Sequence, residues 1–92
     1  MQVVALIHEE NGRFGVSFPD FPGCTTVAES ADAAVVKAVG VLAFHVDGLA
    51  EDGPLPDVHT LSQLTAEPTF RKDSEGAIIA LVPYAPVDRR PR

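Results

Sequence analysis

Cys24 is the one thiol in this chain, and the three histidines are its only imidazoles. Nucleophilic chemistry would need one of those rings within hydrogen-bond reach of the sulfur. His8 and His45 are the candidates, and nothing in their spacing brings either to Cys24. A lone cysteine in a β-branched segment reads as a small core residue. One cysteine with scattered histidines makes no zinc pattern. His45 has no second ligand at i±3 or i±4, so it reads as a partly buried side chain on an apolar helix face. The sequence therefore predicts no catalytic residue, no metal ligand and no cofactor, and a protein that is not an enzyme. The acids are more informative. Glu51, Asp52 and Asp57 cluster at a helix C-terminal end, where the helix dipole disfavours them. A solvated loop would account for them, and so would an acidic rim facing a basic partner.

Asp20 and Phe21 form the other candidate contact, inside "SFPDFPGC". The chain has a simpler turn a few residues upstream, Asn11-Gly12, so the two prolines here need a reason. Pro19 donates no ladder hydrogen bond and ends the preceding strand. Pro22-Gly23 suits positions i+1 and i+2 of a type II turn, which needs positive φ at the glycine. Asp20 and Phe21 are then held in a rigid segment, pre-ordered for contact. Alternatively, the loop fixes the register between two strands, with Phe21 tucked into the core.

The elements that must position these residues are few. "QVVALIH", Gln2 to His8, is a strand apolar on both faces: Val3, Ala5 and Ile7 on one, Val4 and Leu6 on the other. Asn11-Gly12 turns it into "FGVSF", and "CTTVA", Cys24 to Ala28, is the third strand. Ser30 is an N-cap for a long helix from Ala31. Ala31, Val35, Ala38, Leu42, His45, Val46 and Leu49 fall on one face of it. Gly40 is costly in its middle, unless the helix approaches the sheet closely there. Gly53 and Pro54 end it. Thr60 to Gln63 fits a capping box, so a short helix over Leu61 to about Glu67 is possible. "AIIALVP", Ala77 to Pro83, is the last strand, with Ile79 and Leu81 on one face. The order is βββαβ, an α+β sheet with one main helix. One helix cannot cover both faces of such a sheet, so an apolar face is left as an interface. A homodimer or tetramer is the expectation.

Ninety-two residues make one domain, 1–83, followed by a Pro/Arg-rich tail or linker over 84–92. The hydrophobic share of 46% against 22% charged excludes a disordered chain. The net charge of −6 is uneven: residues 1–70 carry ten acids against two bases, and residues 71–92 carry three against five. An acidic body repels nucleic acid and suits a basic partner. Only Arg89, Arg90 and Arg92 lie beyond the last strand, too few bases for a specific DNA interface. No signal peptide and no membrane-length apolar run is present, so a cytoplasmic protein is expected.

"GVSFPDFPGCTT", the Ser-capped alanine-rich helix after it, and "FHVDGLAEDGPLPDVHTLSQL" together resemble the HicB antitoxin family over almost the whole chain. The resemblance implies a reduced RNase H-like fold. It also implies a partner, a HicA-type toxin that cleaves messenger RNA and that HicB blocks by binding. Most members carry a further C-terminal DNA-binding domain, and the expectation here is that it is absent. The alternative is an oligomerisation or ligand-sensing domain of a transcriptional regulator. RNase H-like nucleases hold two metal ions with acids from the first strand, the main helix and the last strand. Here "QVVALIH" and "AIIALVP" have none, and Asp32 and Asp47 stand fifteen residues, about 22 Å, apart on the helix. Nuclease activity is therefore not expected. Partner contacts are expected from Asp20, Phe21, Glu51, Asp52 and Asp57.

Overall fold

Asn11 and Gly12 both take positive φ, 54° and 79°, the backbone of a two-residue hairpin that matches strand twist. In the computed structural model, which describes residues 2–52 and 57–83 and gives only the backbone of 49–52, this turn joins β1 (Gln2–Glu10) to β2 (Arg13–Ser17). β1 runs two residues beyond the predicted end, because Glu9 and Glu10 pair with Phe14 and Arg13. β3 (Thr25–Ala28) pairs antiparallel with β2, and β4 (Ile78–Pro83) pairs antiparallel with β1. The strand order is β3-β2-β1-β4. The fold is α+β, as the sequence predicts.

On one face lies α1 (Ala31–Asp52). Ser30 caps it: its Oγ accepts from the Ala33 amide at 3.0 Å, and its carbonyl from the Ala34 amide at 2.9 Å. The buried stripe is Ala34, Ala38, Leu42 and Val46, packed on Val3, Ala5, Ile7, Val16, Phe18 and Val82. Val35, expected on that face, is 40% exposed. The two alanines are what let the helix lie close to the sheet. Gly40 does not, since a Cβ there would meet nothing within 4 Å, which corrects the close-approach reading.

The opposite face is not left bare. After residues 53–56, which lie outside the described residues, Thr60 opens α2 (Leu61–Thr65) with both bonds of the capping box. The Gln63 amide donates to Thr60 Oγ1 at 3.1 Å, and the Thr60 amide to Gln63 Oε1 at 2.8 Å. A second short helix follows, α3 (Pro68–Asp73), which the sequence reading did not include. Glu67 precedes a proline and stays extended (φ −89°, ψ 125°), so helix formation breaks and restarts with Pro68 in the first turn. Leu64 and Phe70 from this pair pack on Val4 and Leu6, joined by Leu61 and Ala77. Two small helices thus cover the centre of the face that one main helix could not. What stays exposed is its margins, Val27 (48%) on β3 and Ile79 (42%) and Leu81 (53%) on β4.

Gly40 gives a direct test of the helix. With open space at its Cβ position and helical backbone, Gly40→Ala should raise unfolding stability by about 0.5–1 kcal/mol. Urea denaturation checks this, and a loss of stability would mean that Gly40 has a close neighbour.

Candidate protein-binding site

Two successive tight turns build the proline loop. The Phe21 amide donates to the Phe18 carbonyl, and the Cys24 amide to the Phe21 carbonyl, both at 3.0 Å. Gly23 takes φ +88°, as the third residue of a type II turn over Phe21–Cys24 requires. The two turns reverse the chain twice and drive Phe21 inward. It is 1% exposed, in the α1-side core, with its ring edge-on to His45 at 6.4 Å and 85°. Cys24 is also buried, its Sγ 3.8 Å from the Val41 carbonyl, and burial pushes the thiol pKa up. A protonated, enclosed thiol is a packing group and a poor nucleophile.

Among the described residues Asp20 is the one polar side chain in the buried set, 9% exposed. A buried carboxylate needs partners, and it has two from a single residue 39 positions away. Asp20 Oδ2 accepts from the His59 amide and Asp20 Oδ1 from His59 Nδ1, each at 2.7 Å. This bidentate clamp ties the loop to the residue just before the α2 cap. The His59 ring is half-exposed. Its pKa is raised, first by the hydrogen bond to Asp20 and then by the Asp20 charge, with desolvation opposing and Asp57 and Glu67 adding smaller fields.

Beside the clamp, a groove of about 580 Å³ runs between the sheet and α2–α3. Leu6, Phe18, Pro19, Leu64 and Phe70 supply its apolar walls, and His8, Glu67 and Asp73 its polar margin. His8 Nε2 lies 2.9 Å from the Asp73 carbonyl, which joins β1 to the end of α3. Of the five residues expected to contact a partner, Asp57 is exposed and neighbours His59 electrostatically. Asp20 and Phe21 face inward, where they hold the loop. The side chains of Glu51 and Asp52 lie outside the described residues. Sequence reasoning missed His59, Glu67 and Asp73. The signal for His59 was indirect: an aspartate locked between prolines in an apolar loop has to find a donor. Among the described residues, no group of three His, Cys, Asp or Glu side chains could hold a metal ion.

Two outcomes follow from this packing. Phe21→Ala should cost about 3–5 kcal/mol, the usual penalty for emptying a buried aromatic site; a cost under 1 kcal/mol in urea would show that the ring is not in the core. The clamp is pH-linked. A His59 pKa raised above its unfolded value of about 6.5 means that the folded state holds the proton more tightly. Its stabilisation is complete below that unfolded value and is lost as pH climbs through the native one. The stability gap between wild type and His59→Ala should therefore be widest near pH 6 and shrink by pH 9. A gap constant with pH would rule the linkage out.

A model of the HicB-like antitoxin of bacterial toxin–antitoxin systems matches residues 3–91. The structure is similar to that of the antitoxin HicB of Burkholderia pseudomallei, with a TM-score of 0.78 and 28% identity, over all of this chain and 70% of that one. It is similar also to a chain of the HicA3 and HicB3 toxin–antitoxin complex, at TM-score 0.73 and 25% identity, over 94% of this chain and 100% of that one. An uncharacterised 14.9 kDa protein from the rep–hol intergenic region of Haemophilus phage HP1 is 30% identical over 66 residues, 71% of this chain and 50% of that protein. The chain thus spans about half the length of that curated relative. No helix among the described residues is long and apolar enough to cross a membrane. With a match over nearly its whole length and the same fold as solved members, this chain belongs to the HicB-like antitoxin family of bacterial toxin–antitoxin systems.

Proposed function

We propose that this chain neutralises a HicA-type mRNA-cleaving toxin by binding it directly in the cytoplasm, and that it performs no catalysis itself. The observation that carries this reading is the likeness to a chain of a toxin–antitoxin complex, within a family of antitoxins. The physical features agree with it. The body of the chain, residues 1–70, carries ten acids against two bases, and a toxin built to hold RNA phosphates is its electrostatic complement. Asp57 is the described member of the proposed rim, with Glu51 and Asp52 beside it in sequence. Glu67 and Asp73 extend that rim along the groove. Asp20 and Phe21 serve the contact from inside, by fixing where the loop and the α2 entrance stand.

Charge of this kind acts mainly on encounter, while apolar contacts govern release. Raising salt from 0.1 M to 1 M shortens the Debye length from about 10 Å to about 3 Å. Association with the cognate toxin should slow by about tenfold over that range. Replacing Asp57, Glu67 and Asp73 by their amides should slow association at low salt and leave dissociation nearly unchanged. Surface kinetics would decide it. A salt-independent on-rate, with the rim variants indistinguishable from wild type, would remove the electrostatic claim; no binding to the toxin at all would remove the proposed function.

A further inference from the structure

We propose that the half of the far face over β2 and β3 is a shelf on which the toxin lays a basic amphipathic helix. This rests on the toxin-binding reading above, and adds to it the place of contact and the kind of element that fits there. The layer on this face is incomplete. Register puts Leu6, Ser17 and Thr25 in one row across it, and His8, Gly15 and Val27 in the next. α2 and α3 pack on Val4 and Leu6, with Ala77 beside them. They leave Val27 48% exposed, and His8 and Thr25 in solvent. Two neighbouring strands with their side chains make a floor about 10 Å wide, close to the diameter of an α-helix. The floor is low, because Gly15 has no side chain and Ser17 and Thr25 have small ones. α3 stands beside it as a wall. The groove of about 580 Å³ along that wall adjoins hollows of about 460 and 440 Å³ over β2 and β3, and His8 lines all three. A partner comes onto this face and not onto its outer edge. β3 has only four residues, and Lys37 donates its Nζ to the Val27 carbonyl at 3.0 Å, two devices that stop an edge from pairing.

Charge selects the occupant. Glu67 and Asp73 stand along the wall, and Glu10 at the hairpin end of the shelf. Arg13 lies at that end too, but it is the cross-strand neighbour of Glu10, so the surroundings of the shelf stay acidic. A second copy of this chain is net negative by six units and is repelled from such a surface, as is a nucleic acid. A helix with one apolar and one basic stripe fits both features. Its apolar stripe meets Val27 on the floor and Phe18 and Phe70 beside the wall, and its cations face Glu67 and Asp73. The shelf is also preformed. The Asp20–His59 clamp sets the entrance to α2, and His8 Nε2 meets the Asp73 carbonyl at the end of α3, so the wall is tied to the sheet at both ends. A site built in advance loses little ordering entropy on binding.

Surface kinetics of the full chain with the cognate toxin provide the test. Gly15→Tyr raises the floor, at a position where a Cβ meets only the His8 carbonyl, at 3.9 Å. Val27→Gln removes the apolar contact. Both changes are neutral and leave the acidic field as it is. Each should speed dissociation by about tenfold or more, with association and its salt dependence close to wild type and far-UV circular dichroism native. Val36→Gln and Phe44→Gln on the outer side of α1, where the side chains are 73% and 82% exposed, should bind as wild type does. If a floor variant fails to fold, titration of wild type with toxin, followed by methyl NMR, replaces it: the Val27 and Leu64 signals should shift and those of Val36 should not. Floor variants that bind as wild type, α1 variants that lose binding, or Val27 methyls unmoved in the saturated complex would each overturn the shelf and leave toxin binding standing. Val27 methyls that shift with concentration when no toxin is present would give the shelf to a second copy, and overturn it as well. Wild type that binds no toxin would remove both readings.

Discussion

Val3, Val4, Ala5, Leu6 and Ile7 are consecutive in β1, and none is more than 2% exposed. In a strand, neighbouring side chains point to opposite faces, so five buried residues in a row require a layer on each side. Most of the architecture follows from that constraint. α1 supplies one layer with Ala34, Ala38, Leu42 and Val46. The other must come from elsewhere in a chain of 92 residues, and two short helices with one buried side chain each, Leu64 and Phe70, provide it. β1 also takes hydrogen-bonded neighbours on both edges, β2 and β4, so it is enclosed in all four lateral directions.

The clamp between Asp20 and His59 matters because it joins parts that belong to different layers. The proline loop sits among α1-side residues through Phe21 and Cys24, whereas His59 directly precedes the capping box of α2. Two hydrogen bonds from one carboxylate fix the backbone and the ring of His59 together. The entrance to α2 is thereby set relative to the first core, and the groove lies between the elements so positioned. This is why residues expected to touch a partner are found inside: their side chains shape the surface without being part of it.

Short apolar, β-branched runs made the strands legible in the sequence, and Asn11-Gly12 and Pro22-Gly23 gave their turns. Ser30 and the Thr60–Gln63 box marked two helix starts. The registration of α1 was less legible, because alanine and valine alternate along it so densely that several stripes look apolar. Packing chose the stripe with the smaller residues, Ala34 and Ala38, and left Val36 and Phe44 in solvent. α3 was hidden in "EPTFRKD", where a proline suggests an ending and here starts a helix. The partner of Asp20 was the least legible of all. Nothing local links residues 20 and 59, and only the folded chain brings a carboxylate and an imidazole together over that separation.

The far-side layer is thin compared with the near one. Among the described residues four buried ones form its core, against thirteen in the α1-side core, and its helices have five and six residues, too short to persist unaided. Among the described residues, the side-chain bonds that add to that apolar contact are the Asp20–His59 clamp and the His8–Asp73 contact. Such a layer is a cooperative unit of low local stability. Val4 and Leu6 owe their burial on that side to it, whereas β1 owes its hydrogen bonds to β2 and β4. The described structure is therefore two unequal cores sharing one strand, and the thinner of them walls the groove.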